Sequence, residues 1–171
     1  LTTYREMAAD TVDEIVDDVL TLRPGATQVG RSVTKKLRLR GAAGYDTLDT
    51  TTQAYPSITP ELREHLGGRY GGEARVLMAM IDQDPSMGEP IVIGLPYVRA
   101  EVLFAVRHEM AGSVSDVLSR RTRAQLFGRD DSGDAAAAVA ELMAPELGWD
   151  QAQMEASVEQ YRAELAHERQ V

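Results

Sequence analysis

Apolar side chains recur at every third or fourth position from residue 7 to residue 20, which predicts an amphipathic helix at the start of the chain. Aspartate and glutamate occupy many of the positions between them. Thr3 and Glu6 have the spacing of a capping box, and Pro24 marks the helix end. The stripe predicts that this helix packs on another surface, either in the same chain or on a second copy.

The helical pattern is lost between residues 26 and 57, which are predicted to form a long irregular connection. Residues 35–40 alternate basic and leucine side chains, which fits a short strand or an extended arm. The predicted organisation is a helix over 1–24, a linker over 25–57 and a helical domain over 58–171.

Helical signals return at Thr59 and Pro60, and Gly67 with Gly68 predicts the end of this short helix. Further helices are predicted over residues 71–85, 96–112, 113–128, 132–148 with a break near Pro145 and Gly148, and 150–166. Residues 91–94 fit a strand or a buried loop, and residues 130–134 fit a loop. The predicted fold class is therefore all-α, with about five to six helices in the C-terminal domain.

The composition of the chain limits which partners and which kinds of chemistry it can have. Aromatic residues make up only 5% of the chain, so the core is predicted to be aliphatic. The net charge of -9 disfavours nucleic acid and anionic membranes as non-specific partners, because both attract basic surfaces. The absence of cysteine excludes disulfides and thiolate chemistry and fits an intracellular protein. No apolar run reaches the roughly 20 residues of a membrane span.

No complete catalytic or metal-binding set is visible in the sequence. Residues 25–32 resemble a phosphate-binding loop, but Arg31 stands where that motif needs lysine, so an ordinary loop is favoured. His65, His108 and His167 are far apart in the sequence, and a hydrogen-bonded structural role is favoured over metal binding.

Arginines are concentrated in two of the predicted helices: Arg107, Arg120, Arg121 and Arg123. An anion site is one hypothesis, because guanidinium groups match phosphate geometry. Ion pairs with carboxylates such as Glu101, Glu109 and Asp116 are favoured instead, because the chain is acidic.

Several segments together resemble one enzyme family. Residues 1–13, "LTTYREMAADTVD", residues 96–123, "PYVRAEVLFAVRHEMAGSVSDVLSRRTR", and residues 139–150, "VAELMAPELGWD", are similar to the FAD-dependent, quinone-linked glycerol-3-phosphate dehydrogenases. Residues 38–44, "RLRGAAG", fit the linker of that family. The resemblance implies the last helix of an FAD-binding domain, a linker and a helical C-terminal domain.

The resemblance also implies a function for the longer protein of which this chain would be the C-terminal part, which we call the parent. The parent would oxidise sn-glycerol 3-phosphate to dihydroxyacetone phosphate and pass the electrons through FAD to a quinone. Leu1, Thr2 and Thr3 would meet the pyrimidine end of the flavin, where helix N–H groups stabilise negative charge. The chain is assigned no catalytic residue and no metal ligand, and by itself it is expected neither to hold FAD nor to turn over substrate.

The implied partners are the missing N-terminal FAD and substrate domain, a quinone, the membrane surface reached through the parent, and a second copy in a homodimer. The parent is expected in the cytoplasm, peripheral on the inner face of the cell membrane. The alternative is a non-catalytic helical interaction domain whose likeness to the flavoproteins is accidental.

Overall fold

A computed structural model describes residues 3–23, 30, 32–48 and 55–168 of the 171-residue chain. Contacts within the chain fall into two units, Leu1–Arg40 and Gly41–Val171. In the described residues the secondary structure is helical, with seven α-helices and one isolated β-bridge between Pro90 and Val98. The predicted all-α fold is confirmed, whereas the boundaries expected at residues 24 and 57 stay a prediction.

The first unit contains helix α1, Tyr4–Leu22, and none of the residues of this helix is buried. Residues 34–36 form a turn and residues 37–39 have no regular secondary structure, so residues 35–40 do not form a strand. We call residues 32–40 the arm. The arm contacts the helix through a hydrogen bond from the Arg5 guanidinium to the Thr34 carbonyl. An exposed ion pair of 2.9 Å joins Lys35 to Glu6.

The second unit contains the other six α-helices. They are α2 (Pro60–Tyr70), α3 (Ala74–Gln83), α4 (Arg99–Glu109), α5 (Ala124–Phe127), α6 (Arg129–Leu147) and α7 (Gln151–Glu168). A π-helix, Asp116–Arg121, precedes α5, and short 3-10 turns lie at Tyr45–Thr47, Gly71–Glu73 and Pro85–Gly88. Six α-helices agree with the predicted five to six, and residues 91–94 form a loop.

Helix α4 contributes to both apolar cores of this unit. Ala100 and Phe104 belong to a cluster with α2 and α3 residues such as Leu66 and Leu77. Val102 and Ala105 belong to a second cluster, built mainly from α6, α7 and the segment between α4 and α5. Aliphatic side chains, methionine and alanine dominate both clusters, as the low aromatic content predicts.

Close backbone contact determines where α2 ends. The predicted end at Gly67 and Gly68 is wrong, because the helix continues to Tyr70 and terminates at Gly71, whose φ is 58°. Gly67 lies inside the helix, where a Cβ would come within 2.8 Å of Leu48 Cδ2, so the Leu48 side chain packs directly on the helix backbone at this position. The Gly72 N–H donates to the Gly41 carbonyl over 2.7 Å, so the 41–48 segment packs on this helix end.

The boundaries of the later helices also differ from the predicted ones. The predicted loop at residues 130–134 is helical, because Ser132 is buried and hydrogen-bonds the Tyr161 hydroxyl over 2.6 Å. Of the break predicted near Pro145 and Gly148, only the Gly148 part is confirmed, because α6 runs through Pro145 to Leu147 and ends at Gly148. A proline in the last turn removes only one helical N–H donor. The helix predicted over 113–128 is interrupted at Arg123, whose φ is 60°.

Candidate functional site

Thr3, the one predicted flavin contact within the described residues, precedes the first turn of α1. Its backbone is helical, with φ -101° and ψ -1°, and its carbonyl accepts the Met7 N–H over 3.0 Å. Leu1 and Thr2, the other two predicted contacts, lie outside the described residues.

The expected Thr3–Glu6 capping box is wrong. The Thr3 hydroxyl accepts no backbone N–H and instead lies 3.7 Å from the Met7 sulfur. A residue whose side chain caps a helix usually has an extended backbone, whereas the backbone of Thr3 is helical. The Glu6 carboxylate instead pairs with Lys35. The amino end of α1 therefore keeps first-turn N–H groups without a side-chain cap in the described part of the chain, together with the positive end of the helix dipole.

Three of the four arginines noted in the sequence contact different acceptors, and the fourth, Arg123, is exposed. Arg107 forms a two-pronged pair with Glu146, at 2.6 and 2.8 Å, and Arg120 pairs with Asp116 at 3.2 Å. Arg121 donates to the Glu109 carbonyl at 2.6 and 3.0 Å. The favoured ion pairing is thus confirmed for Arg107 and Arg120, and Arg121 caps the end of α4.

These contacts shift two carboxyl groups in the same direction. The hydrogen bonds and charge of Arg107 hold the pKa of Glu146 below its usual value. Burial raises the pKa of Asp116, but the Gly112 N–H, the Ser113 hydroxyl and the nearby arginines outweigh burial and leave that pKa lowered. Both groups are therefore ionised where they make these contacts at neutral pH.

The most concentrated polar cluster surrounds Glu101, which the sequence indicated only as one ion-pair partner for arginines. Its side chain is fully buried at the start of α4. One carboxylate oxygen accepts from the Tyr70 hydroxyl over 2.8 Å and forms an ion pair with Arg69 Nε at 3.1 Å; Arg69 Nε itself donates to the Tyr70 hydroxyl oxygen over 3.3 Å. The other accepts from the Val98 N–H over 2.8 Å and lies 3.1 Å from His65 Nε2. We call these residues the Glu101 cluster.

The Glu101 cluster joins three elements. Arg69 of α2 also donates to the Arg121 carbonyl at the end of the π-helix, and its guanidinium lies 5.2 Å from the centre of the Tyr97 ring. Burial, followed by the charge of Glu101, raises the pKa of Tyr70 well above its usual value, so its hydroxyl stays a proton donor. Because both oxygens of Glu101 are fully bonded, the cluster positions helices and leaves no open base for chemistry.

Other candidate sites are few in the described residues. No group of three metal-ligating side chains occurs among them. The 25–32 segment, which resembles a phosphate-binding loop, lies almost wholly outside them. A groove of about 830 Å³ runs along α1 and the arm, lined by apolar side chains such as Val12, Val16 and Leu37. Over the same residues, every helix is too short or too polar to cross a bilayer.

A protein-family model described as the C-terminal domain of alpha-glycerophosphate oxidase matches residues 32–154. The matched residues cover most of the chain and include the whole Glu101 cluster and the π-helix. Helix α1 precedes the matched residues.

Curated relatives extend the match to α1. The chain is 35% identical to glycerol-3-phosphate dehydrogenase 2 of Mycobacterium tuberculosis, over 98% of this chain and 28% of the relative. It is 29% identical to a Synechocystis glycerol-3-phosphate dehydrogenase, over 94% and 28% respectively. It is 31% identical to a mitochondrial glycerol-3-phosphate dehydrogenase of Arabidopsis thaliana, over 87% and 25%. The chain thus spans between a quarter and a third of the length of these relatives.

Proposed function

The chain belongs to the family of the C-terminal domain of alpha-glycerophosphate oxidase, and from that premise we propose that it is the C-terminal part of an FAD-dependent glycerol-3-phosphate dehydrogenase. The parent would transfer a hydride from C2 of sn-glycerol 3-phosphate to FAD, releasing dihydroxyacetone phosphate, and its electrons would pass to a quinone at the inner face of the cell membrane. The match over 98% of this chain to a protein named glycerol-3-phosphate dehydrogenase carries this proposal.

The accidental-likeness alternative is wrong. A helical interaction module of unrelated origin would not be expected to match a relative at 35% identity along nearly its whole length. An interaction role within the enzyme family is still compatible with the fold, because the Glu101 cluster is structural and its carboxylate is saturated.

We assign the amino end of α1 the role of facing the flavin. FAD, when bound, accepts the hydride and gathers negative charge near N1 and the C2 carbonyl of its pyrimidine ring. Leu1, Thr2 and Thr3 would bring the N–H groups and positive dipole end of α1 to that charge. The lack of a Thr3 side-chain cap supports the role, because first-turn N–H groups are left for another acceptor.

The flavin assignment is tested in the complete enzyme, by measuring the flavin midpoint potential of Thr3→Asp. A carboxylate at the amino end of α1 would oppose charge on the reduced flavin, so the potential should become more negative by on the order of 20 mV. The control is Thr21→Asp, whose hydroxyl bonds the Asp17 carbonyl near the other end of the same helix. Equal shifts in the two variants, or no shift in Thr3→Asp, would contradict the assignment.

The dehydrogenase activity is tested separately. The complete enzyme should reduce a quinone analogue in the presence of sn-glycerol 3-phosphate, and the 171-residue chain should not. The isolated chain should also purify without a flavin absorbance band, because its family match covers only a C-terminal domain. A complete enzyme inactive with this substrate, or a flavin band in the isolated chain, would overturn the respective part of the proposal.

A further inference from the structure

Helix α1 and the arm carry charges of opposite sign. Six carboxylates and one guanidinium group lie within Tyr4–Leu22, whereas the arm carries two lysines, two arginines and no acidic residue. Two contacts join the arm to the first turn of the helix. The Arg5 guanidinium donates to the Thr34 carbonyl, and the Lys35 ammonium lies 2.9 Å from the Glu6 carboxylate. The basic arm therefore meets the acidic helix next to its amino end.

Glu6 is the acidic residue in the first turn of α1, one turn after Thr3. A carboxylate in this position interacts favourably with the positive end of the helix dipole. A reduced flavin at the same end would be stabilised by the same positive potential, and its negative charge would be repelled by that of Glu6. An unpaired Glu6 would therefore make the flavin harder to reduce.

We propose that Lys35 is a positioning residue of the flavin site, which neutralises Glu6 and so leaves the positive end of α1 available to the reduced cofactor. This inference rests on the proposed function, because it takes the amino end of α1 to face FAD. Lys35 acts through Glu6 and is assigned no contact with the flavin. The hydrogen bond from Arg5 to the Thr34 carbonyl holds the backbone from which Lys35 reaches Glu6.

The exposure of the pair determines how large its effect is. The side chains of Lys35 and Glu6 are 76% and 58% exposed, so water and salt screen their charges. The expected change in potential is therefore smaller than that for Thr3→Asp, which places a carboxylate at the helix end itself. Removing one partner should leave the protein folded, because an exposed ion pair contributes little to stability.

The test is the midpoint potential of the flavin in the complete enzyme at an ionic strength of about 10 mM, where the Debye length is about 30 Å. In Lys35→Met, the ratio of reduced to oxidised flavin at a fixed potential should fall about twofold, which is about 9 mV for a two-electron couple. Glu6→Gln should raise the ratio by a similar factor, because a negative charge is lost. Both shifts should disappear at about 1 M salt, where the Debye length is about 3 Å.

Two further variants show whether Lys35 acts through Glu6. Lys36→Met removes the same charge from the adjacent residue, and as the matched control it should change the ratio less than half as much. The double variant, Lys35→Met with Glu6→Gln, removes both charges, so its ratio should return to within about 1.3-fold of that of the unmodified enzyme. Circular dichroism and the flavin content establish that each variant keeps its fold and its cofactor.

The inference and the proposed function fail in different ways. Equal changes in Lys35→Met and Lys36→Met, or a double variant that keeps the shift of Lys35→Met, would overturn the role of Lys35. An unchanged ratio in Lys35→Met, together with a shifted potential in Thr3→Asp, would also overturn it and would leave the flavin-facing role of α1 in place. Unchanged potentials in every variant, including Thr3→Asp, would remove that flavin-facing role and the inference with it.

Discussion

At the scale of single residues, the second unit depends on a buried carboxylate. Glu101→Gln should lower the free energy of unfolding by about 2 kcal/mol, because Arg69 loses its charged acceptor and an amide nitrogen is placed against other donors. This loss of unfolding free energy is smaller than the loss expected for a fully buried ion pair, because the Arg69 side chain is 28% exposed. Urea denaturation followed by circular dichroism measures the loss.

Glu89→Gln is the matched control for that substitution. It breaks the Glu89–Arg99 pair of 3.2 Å, in which the side chains are 63% and 36% exposed. An exposed pair contributes little, so the unfolding free energy should change by less than about 0.5 kcal/mol. Similar losses in the two variants would mean that the burial of the Glu101 cluster adds nothing to stability.

Glycines provide a second comparison between residues. A Cβ on Gly72 would lie 1.9 Å from the Ala43 carbonyl oxygen, whereas one on Gly68 would meet nothing within 4 Å. Gly72→Ala should therefore lower the unfolding free energy by about 2 kcal/mol through a forced backbone shift. Gly68→Ala should raise it by about 0.5 kcal/mol, because alanine is the better helix former. Thermal unfolding distinguishes them, and a stabilising Gly72→Ala would refute the close contact.

At the scale of elements, the Arg107–Glu146 pair joins α4 to α6 and makes their packing depend on pH. The pKa of Glu146 is lowered in the folded protein by its bonds to Arg107. The stabilisation from this pair is therefore fully present above pH 4.5, the ordinary pKa of a glutamate, and is lost as pH falls through the lowered pKa of Glu146. Glu146→Gln should destabilise the protein at pH 7, and the difference from the unmodified chain should shrink toward about pH 3. Urea denaturation at both pH values measures it, and a constant difference would contradict the assignment.

The helices of the second unit were largely predictable from the sequence because each buries apolar residues of its own. Their ends were less predictable, because distant residues determine them. Leu48 packs closely on Gly67 inside α2, and Ser132 in α6 hydrogen-bonds Tyr161. The glycine and the serine both have packing roles inside helices. The local sequence instead predicts a helix end at Gly67 and a loop at Ser132.

The polar site was harder to predict for the same reason. Glu101 is an acidic residue between the apolar residues Ala100 and Val102, which is a signal that a buried partner is needed. Its partners His65 and Tyr70 lie 36 and 31 residues earlier in the chain. Periodicity indicates which face of a helix is buried, but it does not indicate which residues of another helix meet that face.

At the scale of the whole molecule, the buried core residues of the described chain all lie at position 48 or later. Residues 41–171 should therefore fold without the first unit and unfold cooperatively, with an unfolding free energy within about 1 kcal/mol of that of the full chain. Urea denaturation of both proteins at one concentration, followed by circular dichroism, measures the difference. Loss of the cooperative transition would show that the first unit is part of the folding core.

A shorter chain, residues 59–171, provides the control and tests the sequence-based boundary at residue 57. It lacks Leu48 and Ile58, which are 5% and 4% exposed, and it lacks the carbonyl that accepts the Gly72 N–H. Burial of the two side chains contributes about 3 kcal/mol or more, so this chain should be markedly less stable than residues 41–171. If the two were equally stable, residues 41–58 would be a linker, as their composition predicts; we expect instead that they complete the α2–α3 core.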